Sequence, residues 1–496
     1  MSIFKGYDVR GIYKEQIDEA VAEKIGKAFA TLLQKSKSAS RKVFIGRDNR
    51  PSSLSLRNAF ADAVLAAGFD IVDLGVVSTS LVQFAISREK VAGAAIITAS
   101  HNPPQYNGLK MYLRNLPLMG AEMLALEKIF LSGKYLSAGR PGHELKKSME
   151  GEYISDVLNR VHLKRKLRVV IDSGNGTCGP IAHEMLKRMG CIVTSLFEDM
   201  ESAFLNHAAD PHNPANMKWL QEEVIKESAD LGIAFDGDGD RAGFVDNKGK
   251  IVREDDVCIL FATHELSRQR GPIIYDLRLS RAVPEEVKKL KGRAVISRAG
   301  RIAIRDNLIA NKALFGGEVS GHYFFADHFG FDDGIYAGAK MCKIVSGLQG
   351  RLSEIVKSIP HYPATPELRL HCDNEKKFAI VENVRKALRK QFGSKVLTID
   401  GVYLNLENAW GLVRVSNTEP AITLRFEGKT RKDLKEVYGI FGMALRGGRN
   451  KAAGVEIGGK MGIIRRIKSF FGRLFGRKRD MDLDELLDEK PRLGSE

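Results

Sequence analysis

Short apolar runs recur along this chain, each closed by a polar or glycine-rich turn and followed by a helix-patterned stretch. Val43-Phe44-Ile45-Gly46 leads into Arg47-Asp48-Asn49-Arg50, and Ile71-Val72-Asp73-Leu74-Gly75-Val76 into Val77-Ser78-Thr79. Val169-Val170-Ile171-Asp172 precedes Ser173-Gly174-Asn175-Gly176. Leu231-Gly232-Ile233-Ala234-Phe235 runs into Asp236, and Ile273-Ile274-Tyr275-Asp276 precedes residues 277–281. This alternation reads as successive strand–turn–helix units, hence several α/β domains with mixed or parallel sheets. No fixed-period repeat is evident. At about 150 residues per domain, 496 residues suit three to four domains. Regular patterning breaks near 147–153, near 247–254 and at 360–366, where three prolines fall within seven residues. The expected domains are 1–148, 149–250, 251–362 and a smaller α+β domain at 363–448, with an extension at 449–496.

Composition narrows the class. The five cysteines (178, 191, 258, 342 and 372) are scattered and form no CxxC pair. They read as reduced thiols in a cytosolic setting, without a disulfide frame or a cysteine zinc site. The first residues carry Lys5, Asp8 and Arg10 and no long apolar stretch, so no secretory signal is expected. No run approaches the roughly 18 apolar residues of a spanning helix. The expected location is cytoplasmic. Net charge is +16, and residues 460–479 supply eight positive charges and no acids. The remaining +8 suits an enzyme with anionic ligands. No zinc-finger spacing, RNP-like signature or aromatic-interleaved basic stripe accompanies the charge, which argues against a nucleic-acid partner.

Four segments carry chemistry. Thr98-Ala99-Ser100-His101-Asn102-Pro103 follows the apolar run Ala94-Ala95-Ile96-Ile97. It sets one hydroxyl at the end of a buried strand, where α/β proteins keep their sites. A serine there can act as nucleophile or carry a phosphoryl group; an ordinary turn is the competing reading. Asp236-Gly237-Asp238-Gly239-Asp240-Arg241 puts three carboxylates at i, i+2 and i+4. Their mutual repulsion calls for a cation, and oxygen-only ligands point to Mg2+. An EF-hand does not fit, because its sixth position is Arg241 and its twelfth Asn247. Gly317-Glu318-Val319-Ser320-Gly321-His322 offers acceptors and donors suited to sugar hydroxyls. Arg414-Val415-Ser416-Asn417-Thr418-Glu419-Pro420, with Arg425 nearby, gathers forked charged donors and neutral ones as a phosphate requires.

Taken in this order and spacing, these segments resemble the α-D-phosphohexomutase superfamily over residues 1 to about 448. The likeness includes Tyr7-Asp8-Val9-Arg10-Gly11, Gly46-Arg47-Asp48, Gly108-Leu109-Lys110 and Phe331-Asp332-Asp333-Gly334. It is nearest to the bacterial phosphomannomutase/phosphoglucomutase group, with Val319 where the sugar loop usually has Met. Phosphoglucosamine mutases resemble the chain less. The resemblance implies a four-domain α/β architecture: three α/β domains with mixed sheets and a smaller C-terminal α+β domain. Here an amphipathic helical extension follows.

The resemblance also implies a mechanism. Ser100 would carry a phosphoryl group, with Mg2+ held by that group and by Asp236, Asp238 and Asp240. The phosphoryl would pass to O1 or O6 of a hexose phosphate through a hexose 1,6-bisphosphate, which also serves as primer. His101, Lys110, Arg241 and Arg278 would be catalytic. Tyr7, Arg10, Arg301, Glu318, Ser320, His322, Arg414, Ser416, Asn417, Thr418 and Arg425 would bind the substrate.

Two positions depart from the family pattern. Arg278 stands where a Lys is usual, and Arg301 where a His is usual. Arginine keeps the charge but does not readily give up a proton, so both are expected to act as phosphate clamps. The departures keep two other readings open: an amino-sugar mutase, and a catalytically weakened sugar-phosphate binding protein recruited to a membrane or complex.

Beyond the mutase-like body, Ile463, Ile464, Ile467, Phe470, Phe471, Leu474 and Phe475 form a helical stripe ringed by basic residues. Residues 460–479 are expected to contact a membrane surface or a protein, the competing reading being a helix docked on this chain or a second copy.

Overall fold

In a computed structural model that describes residues 2–137, 140–201, 206–416 and 420–445, the apolar runs form strands in four sheets. The extension at 449–496, with its basic helical stripe, lies outside the described residues, as do Asn417 and Thr418.

The first sheet centres on Lys42–Arg47, which pairs in parallel with Gly93–Ile97 on one side and Asp70–Val76 on the other. Glu144–Lys146 extends it in parallel beyond Asp70–Val76. Tyr106–Leu113 pairs antiparallel with Gly93–Ile97, and Val9–Ile12 antiparallel with Tyr106–Leu113. Gly93–Ile97 is buried throughout, which explains its unbroken apolar pattern. Helix Glu19–Lys35 starts where the Asp18 carboxylate accepts from Val21 N at 2.8 Å. It buries Ile25, Phe29 and Leu33, and Phe29 meets Phe60 of helix Ser53–Ala66 at 5.6 Å between ring centroids. Full burial of such a ring contributes about 2–3 kcal/mol.

The second sheet runs Ile251–Val252, Ala242–Asp246, Leu231–Phe235, Arg168–Asp172 and Ile192–Leu196, with its last three strands parallel. The third is ordered Arg293–Ser297, Pro272–Asp276, Phe315–Gly317 and Tyr323–Phe325, and mixes parallel and antiparallel pairs. The fourth is wholly antiparallel: Leu368–His371, Ala421–Gly428, Ala409–Val415, Val402–Asn405 and Val396–Leu397. Helices Asn374–Phe392 and Arg431–Leu445 bury Val384, Leu388, Leu434, Val437 and Phe441 in the same core as Phe426. The α+β reading of this part follows from that packing.

The chain divides into two compact units. One takes Met1–Tyr275, Glu286–Val295 and Gly300–Ser358; the other takes Asp276–Glu285, Ile296–Ala299 and the chain from Ile359 onward. The segment that holds Arg278 therefore groups with the C-terminal part. All five cysteines are free thiols. Among the described residues no helix is long and apolar enough to cross a membrane.

Candidate active site

Ser100 leaves the carboxyl end of Gly93–Ile97 in a left-handed conformation, φ +54°, and is 4% exposed. Such a backbone costs a non-glycine residue about 1–3 kcal/mol and persists only where its surroundings enforce it. Arg50 supplies that enforcement from beneath. Its Nη2 donates to the Ser100 and Asn102 carbonyls at 2.8 and 2.6 Å, and its Nη1 to those of Pro103 and Tyr106 at 2.7 and 3.1 Å. Its Nε donates to Asp48 at 3.0 Å. Arg10, brought alongside by the register of Val9–Ile12, donates to the Asn102 side chain at 2.7 Å. The Ser100 hydroxyl donates to Asp236 Oδ2 at 2.6 Å and lies 3.1 Å from His101 Nδ1. Burial, then the Arg241 charge, pushes His101 down to about 3, so its ring is neutral.

The aspartate loop leaves the end of Leu231–Phe235 as expected, and all three carboxylates are buried. Its glycines are required by contact. A Cβ on Gly239, at φ +74°, would fall 2.2 Å from Cys178 Sγ, and one on Gly237 would fall 2.6 Å from the Ser100 carbonyl oxygen. Helix Thr79–Arg88 docks its first turn on the loop. Thr79 N donates to the Asp238 carbonyl at 2.7 Å, Thr79 Oγ1 to the Asp238 carboxylate at 2.7 Å, and Ser80 Oγ to the Gly239 carbonyl at 2.8 Å. Lys110 Nζ donates to Asp238 and Asp240 at 2.6 Å each. Burial alone would lower this lysine, but the two carboxylates hold it above its ordinary value. Asp236, with no lysine of its own, is held well above the usual carboxylate range by burial and by Asp240 and Asp238.

One oxygen atom from each of these three aspartates falls within a 4.8 Å cluster. Asp238 Oδ1 is buried without a hydrogen-bond partner among the described residues, and Asp240 Oδ1 has the His322 ring nitrogen at 3.4 Å. A buried cluster of carboxylate oxygens with lone pairs left over fits a hard divalent cation.

Arg301 opens helix Arg301–Ala310 and is engaged through all three guanidinium nitrogens. Nη1 donates to Asp240 at 2.6 Å and Nη2 to Asp332 at 3.1 Å, while Nε lies 2.9 Å from Asp332. Gln83 Nε2 donates to the same Asp332 carboxylate at 2.9 Å. His322 ends a tight turn in which Glu318 N donates to its carbonyl. Its Nδ1 lies 2.9 Å from Ser320 Oγ and 3.2 Å from Glu318 Oε2, and its Nε2 3.4 Å from Asp240. Burial and Arg241 oppose protonation, but Asp240 and Glu318 win and raise His322 to about 9. Arg241 reaches from the aspartate loop to within 3.3 Å of His322 Nε2. Tyr7, 43% exposed, stands in the field of Asp8, Glu318, Arg301 and Arg241. Ser100, His101, Lys110, Arg241, Arg301, Glu318, Ser320, His322, Tyr7, Arg10 and the three aspartates thus all lie in the first unit.

Arg278, Arg414, Ser416 and Arg425 lie in the second unit. Asp276 holds Arg278 through Nε at 3.1 Å and Nη2 at 2.5 Å. Arg414 Nε meets Asp400 at 3.1 Å, and Ser416 N donates to the Ala421 carbonyl at 2.9 Å. Lys377 donates to the Ser416 carbonyl at 2.9 Å. Arg50, Thr79, Gln83, Asp332 and Lys377 were not singled out as site residues from the sequence. Arg50 had a signal, two residues past Asp48 in a turn after a strand, and so did Asp332 in Phe331-Asp332-Asp333-Gly334 and Thr79 in the turn after residues 71–76.

Four family descriptions match in order. Phosphoglucomutase/phosphomannomutase alpha/beta/alpha domains I, II and III match residues 1–136, 151–249 and 253–362, and the C-terminal domain of the same family matches 367–438. A phosphomannomutase/phosphoglucomutase of Pseudomonas syringae is 34% identical over 450 residues, covering 90% of this chain and 95% of its own. A phosphoglucomutase of Neisseria meningitidis is 33% identical over 451 residues, covering 90% and 97%. A crystal structure of a phosphoglucomutase/phosphomannomutase family protein from Burkholderia thailandensis superposes with a TM-score of 0.84 at 34% identity, covering 91% of this chain and 98% of that one. With matched domains across the chain and strand-end loops that bring serine and aspartates into contact, this protein belongs to the phosphoglucomutase/phosphomannomutase family.

Proposed function

We propose that the protein interconverts hexose 1-phosphate and hexose 6-phosphate, of mannose, glucose or both, through a phosphoserine at Ser100 and a hexose 1,6-bisphosphate. The observation that carries this reading is the Ser100 hydroxyl, fixed in a left-handed turn 2.6 Å from Asp236. In the first half-reaction a free sugar hydroxyl oxygen bonds to phosphorus as the Oγ–P bond breaks. The proton given up by the sugar hydroxyl is matched by the one that Ser100 Oγ takes up as it leaves phosphorus, and His101, 3.1 Å from Oγ, stands beside that leaving oxygen. In the second, the other phosphoryl group returns to Ser100 and the sugar oxygen it leaves regains a proton. Mg2+, held by Asp236, Asp238, Asp240 and the phosphoserine, would neutralise charge on the transferring group. Lys110 and Arg301 are assigned to charge balance around the aspartates, since carboxylates already occupy Arg301. Glu318, Ser320 and His322 are assigned to sugar hydroxyls, and Arg278, Arg414, Ser416, Asn417, Thr418 and Arg425 to the phosphate that is not reacting.

A coupled assay on the 1-phosphates of mannose, glucose and glucosamine, with and without Mg2+ and a trace of bisphosphate, tests this. Turnover of mannose or glucose 1-phosphate is expected, with at least a thousandfold loss in Ser100→Ala. The active protein should carry about 80 Da on Ser100 by intact mass. Preference for the amino sugar would move the reading to a glucosamine-type mutase. Binding without turnover would leave a sugar-phosphate binding protein.

For residues 460–479 we propose contact with an anionic membrane surface, on the sequence pattern alone. The full chain should co-sediment with anionic liposomes, and a chain ending at Gly448 should not.

A further inference from the structure

Strands Lys42–Arg47, Asp70–Val76 and Glu144–Lys146 lie parallel and adjacent, and helix Ser53–Ala66 follows the first of them. Toward their carboxyl ends and this helix opens a cavity of about 550 Å³, within the range of small-molecule sites. The carboxyl edge of parallel strands is also where α/β sheets bind ligands. None of the lining residues belongs to the site built around Ser100.

Charge in the cavity is unbalanced. Arg57, 7% exposed, is shared by Glu144 and by Asp73 at 3.2 Å. Lys147 is tied to Glu89 at 2.8 Å and Glu152 at 3.4 Å. Arg47 and Lys146 have no carboxylate within ion-pair distance among the described residues; Arg47 donates to the Asp48 carbonyl at 3.2 Å. Arg57 Nε is buried without a hydrogen-bond partner among the described residues. Beside these cations Leu54 is 51% exposed. Forked and point-charge donors next to an apolar wall suit a ligand with an anionic head and a less polar body.

We propose that this cavity binds a nucleotide-sized phosphorylated molecule, its phosphates on Arg47 and Lys146 and its body against Leu54. Calorimetric titration of the full chain with ADP tests it, run also on Lys146→Glu, Leu54→Ser and Arg425→Ala. One-to-one binding is expected, weakened about tenfold or more by Lys146→Glu, whose mutase turnover stays at the parent level. Arg425→Ala should leave ADP affinity unchanged. Leu54→Ser should weaken ADP while leaving pyrophosphate affinity alone. Absence of ADP binding, equal affinity in Lys146→Glu, or loss of ADP in Arg425→Ala overturns the proposal. Pyrophosphate binding as tightly as ADP overturns the assignment of a body to Leu54.

Discussion

The loop that carries Ser100 and the turn that carries Ser416 both leave the end of a strand, yet they are held in opposite ways. Around Ser100 a buried arginine takes up four backbone carbonyls, and the hydroxyl itself has a carboxylate acceptor. Lys110 and Arg301 are committed to the neighbouring aspartates. At the second turn Lys377 holds the Ser416 carbonyl and Arg414 rests on Asp400, while Arg425 Nε has no hydrogen-bond partner among the described residues. The first region is wired internally, so its geometry is set before any ligand arrives, which is what charge stabilisation during phosphoryl transfer requires. The second leaves donor capacity over, which is what ligand capture requires.

The sharpest way to break this contrast is Arg50→Lys. It keeps the charge but offers one nitrogen to carbonyls that need two. A stability loss of about 3 kcal/mol and a fall in kcat of about a hundredfold are expected, read by thermal unfolding and steady-state kinetics. An active, fully stable variant would show that the loop does not depend on its arginine. Arg425→Ala should behave the other way. KM should rise about tenfold to a hundredfold with kcat within a few-fold, and Tm should move by no more than a degree or two. A large loss of stability here would erase the distinction between the two regions.

The smallest effect lies away from both regions. Burial, then the charges of Lys340, Lys343 and Arg268, pushes His264 down to about 4, against about 6.5 in the unfolded chain. Between those values the unfolded chain binds the extra proton, so stability falls as pH drops from 6.5 towards 4. His264→Gln should flatten that acid limb by on the order of 1 kcal/mol without altering kcat, followed by denaturant melts across the window. A change in kcat would tie helix Glu254–Arg268, which carries His264, to the chemistry.

What was legible in the sequence is what local pattern encodes. The apolar runs became strands within a residue or so, because a strand buried on both faces needs little beyond its own side chains to declare itself. The Asp-Gly-Asp-Gly-Asp spacing was equally plain, since its glycines answer a steric demand of the loop. The partners of these groups were not legible. Lys110 is 128 residues from Asp238, and Thr79 is 159 residues from it. Nothing near Gln83 or Lys377 hints at Asp332 or Ser416. Such contacts are made by the meeting of sheets. Arg301 illustrates the point: its charge was legible, but its carboxylate partners Asp240 and Asp332, 61 and 31 residues away, were not.

Arg50 holds the carbonyls of Ser100, Asn102, Pro103 and Tyr106 and the Asp48 carboxylate, while the Ser100 hydroxyl has its own acceptor in Asp236. The mould beneath that oxygen is therefore indifferent to whether the oxygen bears cargo. Loading and unloading can repeat through many cycles without the chain having to be reshaped between them.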